Sequence, residues 1–89
     1  MIRQPVTIIN KLGLHARAAA KLVATASEFE SNIQLVKDDR EVDAKAIMPV
    51  MMLAASQGTK IELVISGPDE EQALGKMLDL INNYFGEGE

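Results

Sequence analysis

His15 is the only histidine in the chain, and Arg17 stands two residues after it, within the stretch NKLGLHARAAAKLV, Asn10 to Val23. A lone histidine is most often structural or merely exposed. As a metal ligand His15 is a poor choice, because the chain holds no second histidine and no cysteine and scattered carboxylates are a weak signal. It is equally poor as part of a nucleophilic triad, since Ser27, Ser31, Ser56 and Ser66 lie in no nucleophile elbow. Its placement says more. A short alternating run precedes it and an alanine-rich run with helical spacing follows it. A residue at a helix start faces free backbone N–H groups and the positive end of the helix dipole, an environment that binds anions, phosphate above all. The same environment disfavours a charged ring, which leaves a lone pair free to attack. The amides of Ala16 and Arg17 and the Arg17 guanidinium, whose geometry matches phosphate oxygens, would hold the anion. Together with His15 they form a group able to accept a phosphoryl transfer. Gly13 is either an ordinary loop glycine or the turn that exposes the ring.

The elements that must position these residues follow from periodicity. Val6 to Ile9 is short and β-branched and reads as a strand, with Pro5 at its start. From Ala16 to Phe29, apolar residues Ala19, Leu22, Val23, Ala26 and Phe29 recur at spacings of three and four, which predicts an amphipathic helix. Asn32–Val36 and Arg40–Ala44 read as a hairpin across the polar turn KDDR. AIMPVMMLAASQG reads as a short helix from about Ala46 to Ala54, provided Pro49 lies in its first turn. KIELVIS, Lys60–Ser66, alternates as a strand should. Pro68 suits a first helical position with Asp69, Glu70 and Glu71 behind it. Ala73, Leu74, Met77, Leu78, Ile81 and Phe85 then form an inward stripe, and the final GEGE is expected to fray. This order predicts an α+β fold, an antiparallel sheet covered on one face by helices.

Composition narrows the function classes. At 89 residues there is room for one domain, 1–89, and one core. Nine Lys and Arg against thirteen Asp and Glu argue against a general affinity for nucleic acid. The absence of cysteine excludes a disulfide framework and thiolate metal sites, and suits a reducing compartment. No apolar run approaches the roughly 20 residues of a membrane span, so membrane insertion is not expected. The beginning of the chain does not read as a signal peptide, so a cytoplasmic location is the expectation.

NKLGLHARAAAKLV closely resembles the active-site segment of the HPr family, the histidine-containing phosphocarriers of the bacterial phosphotransferase system, and of their nitrogen-branch NPr relatives. The likeness continues through DAKAIMPVMMLAASQGTKIEL and GPDEEQAL. It implies an open-faced β-sandwich of four antiparallel strands and three helices. It also implies that His15 is phosphorylated on its δ nitrogen by the phosphoenolpyruvate-dependent first enzyme of the relay, with Arg17 as counter-ion. A downstream acceptor protein in sugar uptake then receives the group. Such a protein is a carrier consumed and regenerated by others rather than a stand-alone enzyme, without cofactor or metal, and a monomer suffices. The chain departs from the family in three places. Ala18 replaces a frequent proline, Pro49 replaces a small or polar residue, and Ala46 replaces a regulatory serine, so phosphorylation cannot switch the protein there.

Seven consecutive apolar residues run from Ile47 to Leu53, and a short helix cannot bury every side. The resemblance places Ile47, Met48 and Met51 outward and Val50 and Leu53 inward; the first three are expected to form a docking surface, with Lys21 and Lys45 on its rim. Two other readings accompany the sugar-uptake carrier: a nitrogen-branch signalling carrier, and a non-catalytic regulatory or ligand-binding domain of the same shape.

Overall fold

The structure, a computed structural model, describes residues 1–88. The order is β1 (Ile2–Thr7), α1 (Ala16–Ala26), β2 (Asn32–Lys37), β3 (Arg40–Asp43), α2 (Ile47–Met52), β4 (Lys60–Ser66) and α3 (Glu70–Asn82), followed by a 3₁₀ turn, Tyr84–Gly86. The strands form one antiparallel sheet in the order β1-β4-β2-β3. Alternation sends Ile61, Leu63 and Ile65 of β4 and Ile33 and Leu35 of β2 to one face. There they join Leu22, Met77 and Ile81 of the helices in one buried cluster. This is the open-faced α+β architecture that the sequence implies. Among the described residues, no helix is long and apolar enough to cross a membrane.

Several boundaries differ from the sequence reading, each for a physical reason. β1 runs from Ile2 to Thr7 rather than Val6 to Ile9, and Pro5 lies inside it. The strand sits at the sheet edge. Gln4 Nε2 donates to the Pro5 carbonyl at 3.0 Å on the open side, so the proline nitrogen also faces away from β4 and no ladder bond is lost. α1 stops at Ala26 because the next N–H groups tighten: Glu28 donates to Thr25 O at 3.1 Å and Phe29 to Ala26 O at 3.3 Å. α2 spans only Ile47–Met52, with Pro49 in the first turn as required. Its end is met by two cations from the hairpin: Lys37 Nζ donates to Leu53 O at 2.8 Å and Arg40 Nη1 to Met52 O at 2.9 Å.

α3 begins at Glu70, not Pro68, and Pro68 lies in the preceding turn. Asp69 does not cap its own helix. Its carboxylate accepts from Ser31 Oγ at 2.5 Å and from the Glu30 and Ser31 N–H groups at 3.0 Å each, which ties the start of α3 to the approach to β2. These bonds, the Ser31 hydroxyl foremost, hold the carboxyl below its ordinary range. The last inward residue, Phe85, lies beyond α3. Tyr84 (φ +57) and Phe85 (φ +54) both adopt left-handed backbone, and this reversal returns the chain so that Phe85 is fully buried.

Candidate functional site

The approach to His15 is a closed turn. Gly13 N–H donates to Asn10 O at 3.1 Å, and the fully buried Asn10 returns the bond through Nδ2 to Gly13 O at 2.8 Å. Leu14 N–H donates to Ala55 O at 2.8 Å and fixes the turn to the segment after α2. Gly13 has φ +66, and a Cβ there would lie 2.5 Å from Ala55 O and 2.7 Å from Ser56 Cα. Gly13 is therefore the turn that presents the ring, because no other residue fits both its backbone angle and its close approach.

His15 is the N-cap of α1, with extended backbone, and its carbonyl accepts from Ala19 N–H at 2.8 Å. Its ring is 28% exposed. Nδ1 accepts from the Arg17 N–H at 3.3 Å, so this nitrogen carries a lone pair on the side of the helix amides. Lys11, Arg17 and Lys21 join the ring in lining a half-open cleft of about 640 Å³. Arg17 is exposed and, among the described residues, its side chain makes no ion pair. Three cations and a helix N-terminus around one imidazole make a seat for an anion.

The structure adds a group that the sequence reading assigns to a fraying tail. Glu87 Oε2 lies 2.5 Å from His15 Nε2, and Glu87 Oε1 accepts from Asn10 Nδ2 at 3.0 Å. Lys21 Nζ donates to Phe85 O at 2.7 Å and pins the same turn. Burial is the largest single influence on the Glu87 carboxyl and pushes it up. The hydrogen bonds from Asn10 and His15, with the attraction of His15 and Lys21, outweigh it together and hold the group below its ordinary value of 4.5. Nothing in GEGE announces this, because the turn that aims Glu87 depends on the anchoring of Phe85. Asn10 was legible in principle, as a turn-forming residue three places before a glycine.

The surface of α2 departs from expectation in one residue. Met48 is 62% exposed and Ile47 is also exposed, while Val50 and Leu53 are fully buried. Met51 is only half-buried, packed against the core, and Met52 is 59% exposed in its place. Met48 and Met52 are four apart and share a helix side, and Met51 falls on the flank. Leu12, exposed beside the cleft, extends the apolar surface, and the exit of α2 at Ala54–Ser56 borders His15. Lys21 is brought to His15. Lys45 is not: its Nζ donates to Phe29 O at 2.7 Å, just beyond the opposite end of α1, where it holds the helix exit. Ala46 is the N-cap of α2 with no side-chain bond, and Ala18 is fully buried.

A family model described as "PTS HPr component phosphorylation site" matches residues 2–83. The phosphocarrier protein HPr of Neisseria meningitidis serogroup A is 55% identical over 89 residues, covering all of both chains. The crystal structure of HPr-C-His from Thermoanaerobacter tengcongensis matches with a TM-score of 0.94 and 48% identity over 98% of each chain. That of the HPr dimer from the same organism matches at 0.79 and 50%, over 92% of this chain and 94% of that one. None of these favours the nitrogen-branch reading. With the four-stranded open sheet and its three helices, they establish that the chain belongs to the HPr family, the phosphocarrier proteins of the phosphotransferase system.

Proposed function

We propose that the phosphoryl group rides on Nδ1 of His15. The observation that carries this reading is the placement of that lone pair at the N-terminus of α1, in a cleft lined by Lys11, Arg17 and Lys21. The 3.3 Å bond from Arg17 N–H is long and easily given up. On transfer, the Arg17 N–H turns from the lone pair to the phosphoryl oxygens, the Ala16 N–H joins it there, and the exposed guanidinium swings in as counter-ion. A half-open site suits a carrier, which must release its cargo as readily as it takes it. The donor is the phosphoenolpyruvate-dependent first enzyme, and the acceptors are downstream proteins of sugar uptake. The chain acts as one cytoplasmic domain, residues 1–89, and as a monomer. Alanine at position 46 offers no hydroxyl for a regulatory kinase.

Incubation with phosphoenolpyruvate and the relay's first enzyme should give an acid-labile, base-stable phosphate. His15→Ala should abolish it; a variant that still takes up that phosphate would sink this reading.

Both partners dock on the apolar surface made by Ile47, Met48, Met52 and Leu12, with Met51 at its edge and Lys21 on the rim. Met48→Asp should raise the KM of the donor enzyme for this protein about tenfold, the scale of one interface anchor. Its melting temperature should move by no more than about 2–4 °C, because the side chain is exposed and only about ±0.5 kcal/mol is at stake. Unchanged transfer kinetics would exclude the patch.

A further inference from the structure

Glu87 is held against His15 by more than chance proximity. Its side chain is only 12% exposed, and both carboxylate oxygens are engaged, one by the ring and one by Asn10. Asn10 is itself fully buried and divides its Nδ2 protons between Gly13 O and Glu87 Oε1, so one side chain ties the entry turn to the end of the chain. The backbone leading to Glu87 is fixed in turn. Tyr84, Phe85 and Gly86 all have positive φ, Phe85 is buried, and Lys21 grips the Phe85 carbonyl. Two consecutive bulky residues in left-handed backbone persist only where the surroundings over-determine them.

The two ring nitrogens then have complementary neighbours. An ionised carboxylate can only accept, so Nε2 must carry the proton. The Arg17 N–H can only donate, so Nδ1 must carry the lone pair. Both contacts select the same tautomer from opposite sides of the ring, the logic by which a buried carboxylate orients a catalytic histidine.

We propose that Glu87 is a positioning residue for phosphoryl transfer: its carboxylate keeps the ring as the Nε2–H tautomer, aims Nδ1 into the cleft and balances the charge the ring gains when the N–P bond forms. This rests on Nδ1 being the acceptor atom. In the step, the Nδ1 lone pair bonds to phosphorus while the bond from phosphorus to the donor atom breaks, and its electron pair stays with the donor. The ring keeps its Nε2 proton and becomes cationic, facing the Glu87 carboxylate. On handover the N–P electron pair returns to Nδ1 and the positive charge disappears. Glu87 thus stabilises the loaded carrier relative to the empty one, and the cations of the cleft offset its repulsion of the phosphoryl oxygens.

The test compares wild type, Glu87→Gln and Glu87→Ala in full-length protein. In wild type the Nε2 proton should give a slowly exchanging, strongly downfield NMR signal. Glu87→Gln should move it upfield and Glu87→Ala should remove it. In both variants kcat for transfer from the donor enzyme should fall about tenfold, as for loss of one charge-assisted hydrogen bond, with KM unchanged. A fall in kcat with the ring signal unmoved overturns the proposal, as do wild-type rates in both variants. Glu87→Gln keeps the size and an acceptor for Asn10, so it decides the matter alone if Glu87→Ala fails to fold. His15→Ala, run alongside, separates the two readings. If its phosphorylation is lost while the Glu87 variants transfer normally, His15 stands as the acceptor residue and the role of Glu87 falls.

Discussion

Replacing Phe85 with alanine should lower the stability of the protein by about 3–5 kcal/mol, the range for truncating a fully buried aromatic residue. Two effects combine. The ring fills space beside α3 and α1 within the buried cluster, and its loss leaves a cavity that the surroundings fill only in part. The ring also holds left-handed backbone at Tyr84 and Phe85, which disfavours an L-residue by about 1–2 kcal/mol each. Without the buried ring only the Lys21 and Asn10 contacts oppose that strain, and the turn should unwind. Lys21 then loses its carbonyl partner and Glu87 leaves His15. A urea titration should show a lower midpoint with little change in slope, and the downfield Nε2 proton signal should disappear even in the fraction that remains folded. A loss below about 1 kcal/mol would mean that the turn is held by something other than this ring.

Gly13→Ala should cost about 3 kcal/mol through a different route. About 1–2 kcal/mol comes from forcing a Cβ into left-handed backbone, and a further ~1–3 kcal/mol from overpacking. The contact is unforgiving because the atoms a Cβ would meet, Ala55 O and Ser56 Cα, are backbone and cannot rotate away. Relief requires the Asn10–Gly13 turn to separate from the exit of α2, which breaks the Leu14–Ala55 hydrogen bond and moves His15 with it. Transfer to His15 should therefore slow as well as stability fall. Denaturation curves and single-turnover phosphorylation of the same sample measure the two losses. Retention of both would show that the approach of Gly13 to Ala55 is looser than these contacts require.

Both predictions concern residues whose roles the sequence reveals unequally. Gly13 could be singled out, because a glycine two places before a helix N-cap has a small number of uses. The helix start at Ala16 and the alternation of Lys60–Ser66 were legible for the same reason: local spacing alone determines them. The His15 and Arg17 half of the site lies within three residues and was legible with them. The other half was not. The Glu87–His15 contact joins residues 72 apart, and it exists only because α3 is long enough, and the turn after it tight enough, to deliver the carboxylate. No local pattern encodes that. Met51 and Met52 show a finer failure. In a uniformly apolar run the inward face is set by the phase of the helix, and α2 is too short and too apolar for the sequence to reveal that phase. The early start of β1 was hidden by Pro5, whose tolerance depends on the strand lying at an edge, a fact of topology rather than of the segment.

That proline has a consequence for how copies of this protein meet in a crowded solution. A sheet margin with an unbroken row of amides is a template on which stray chains add and aggregates grow. Midway along β1 the outward row lacks a donor and the adjacent carbonyl is already taken by Gln4, so an arriving strand finds the row interrupted where it would need it continuous.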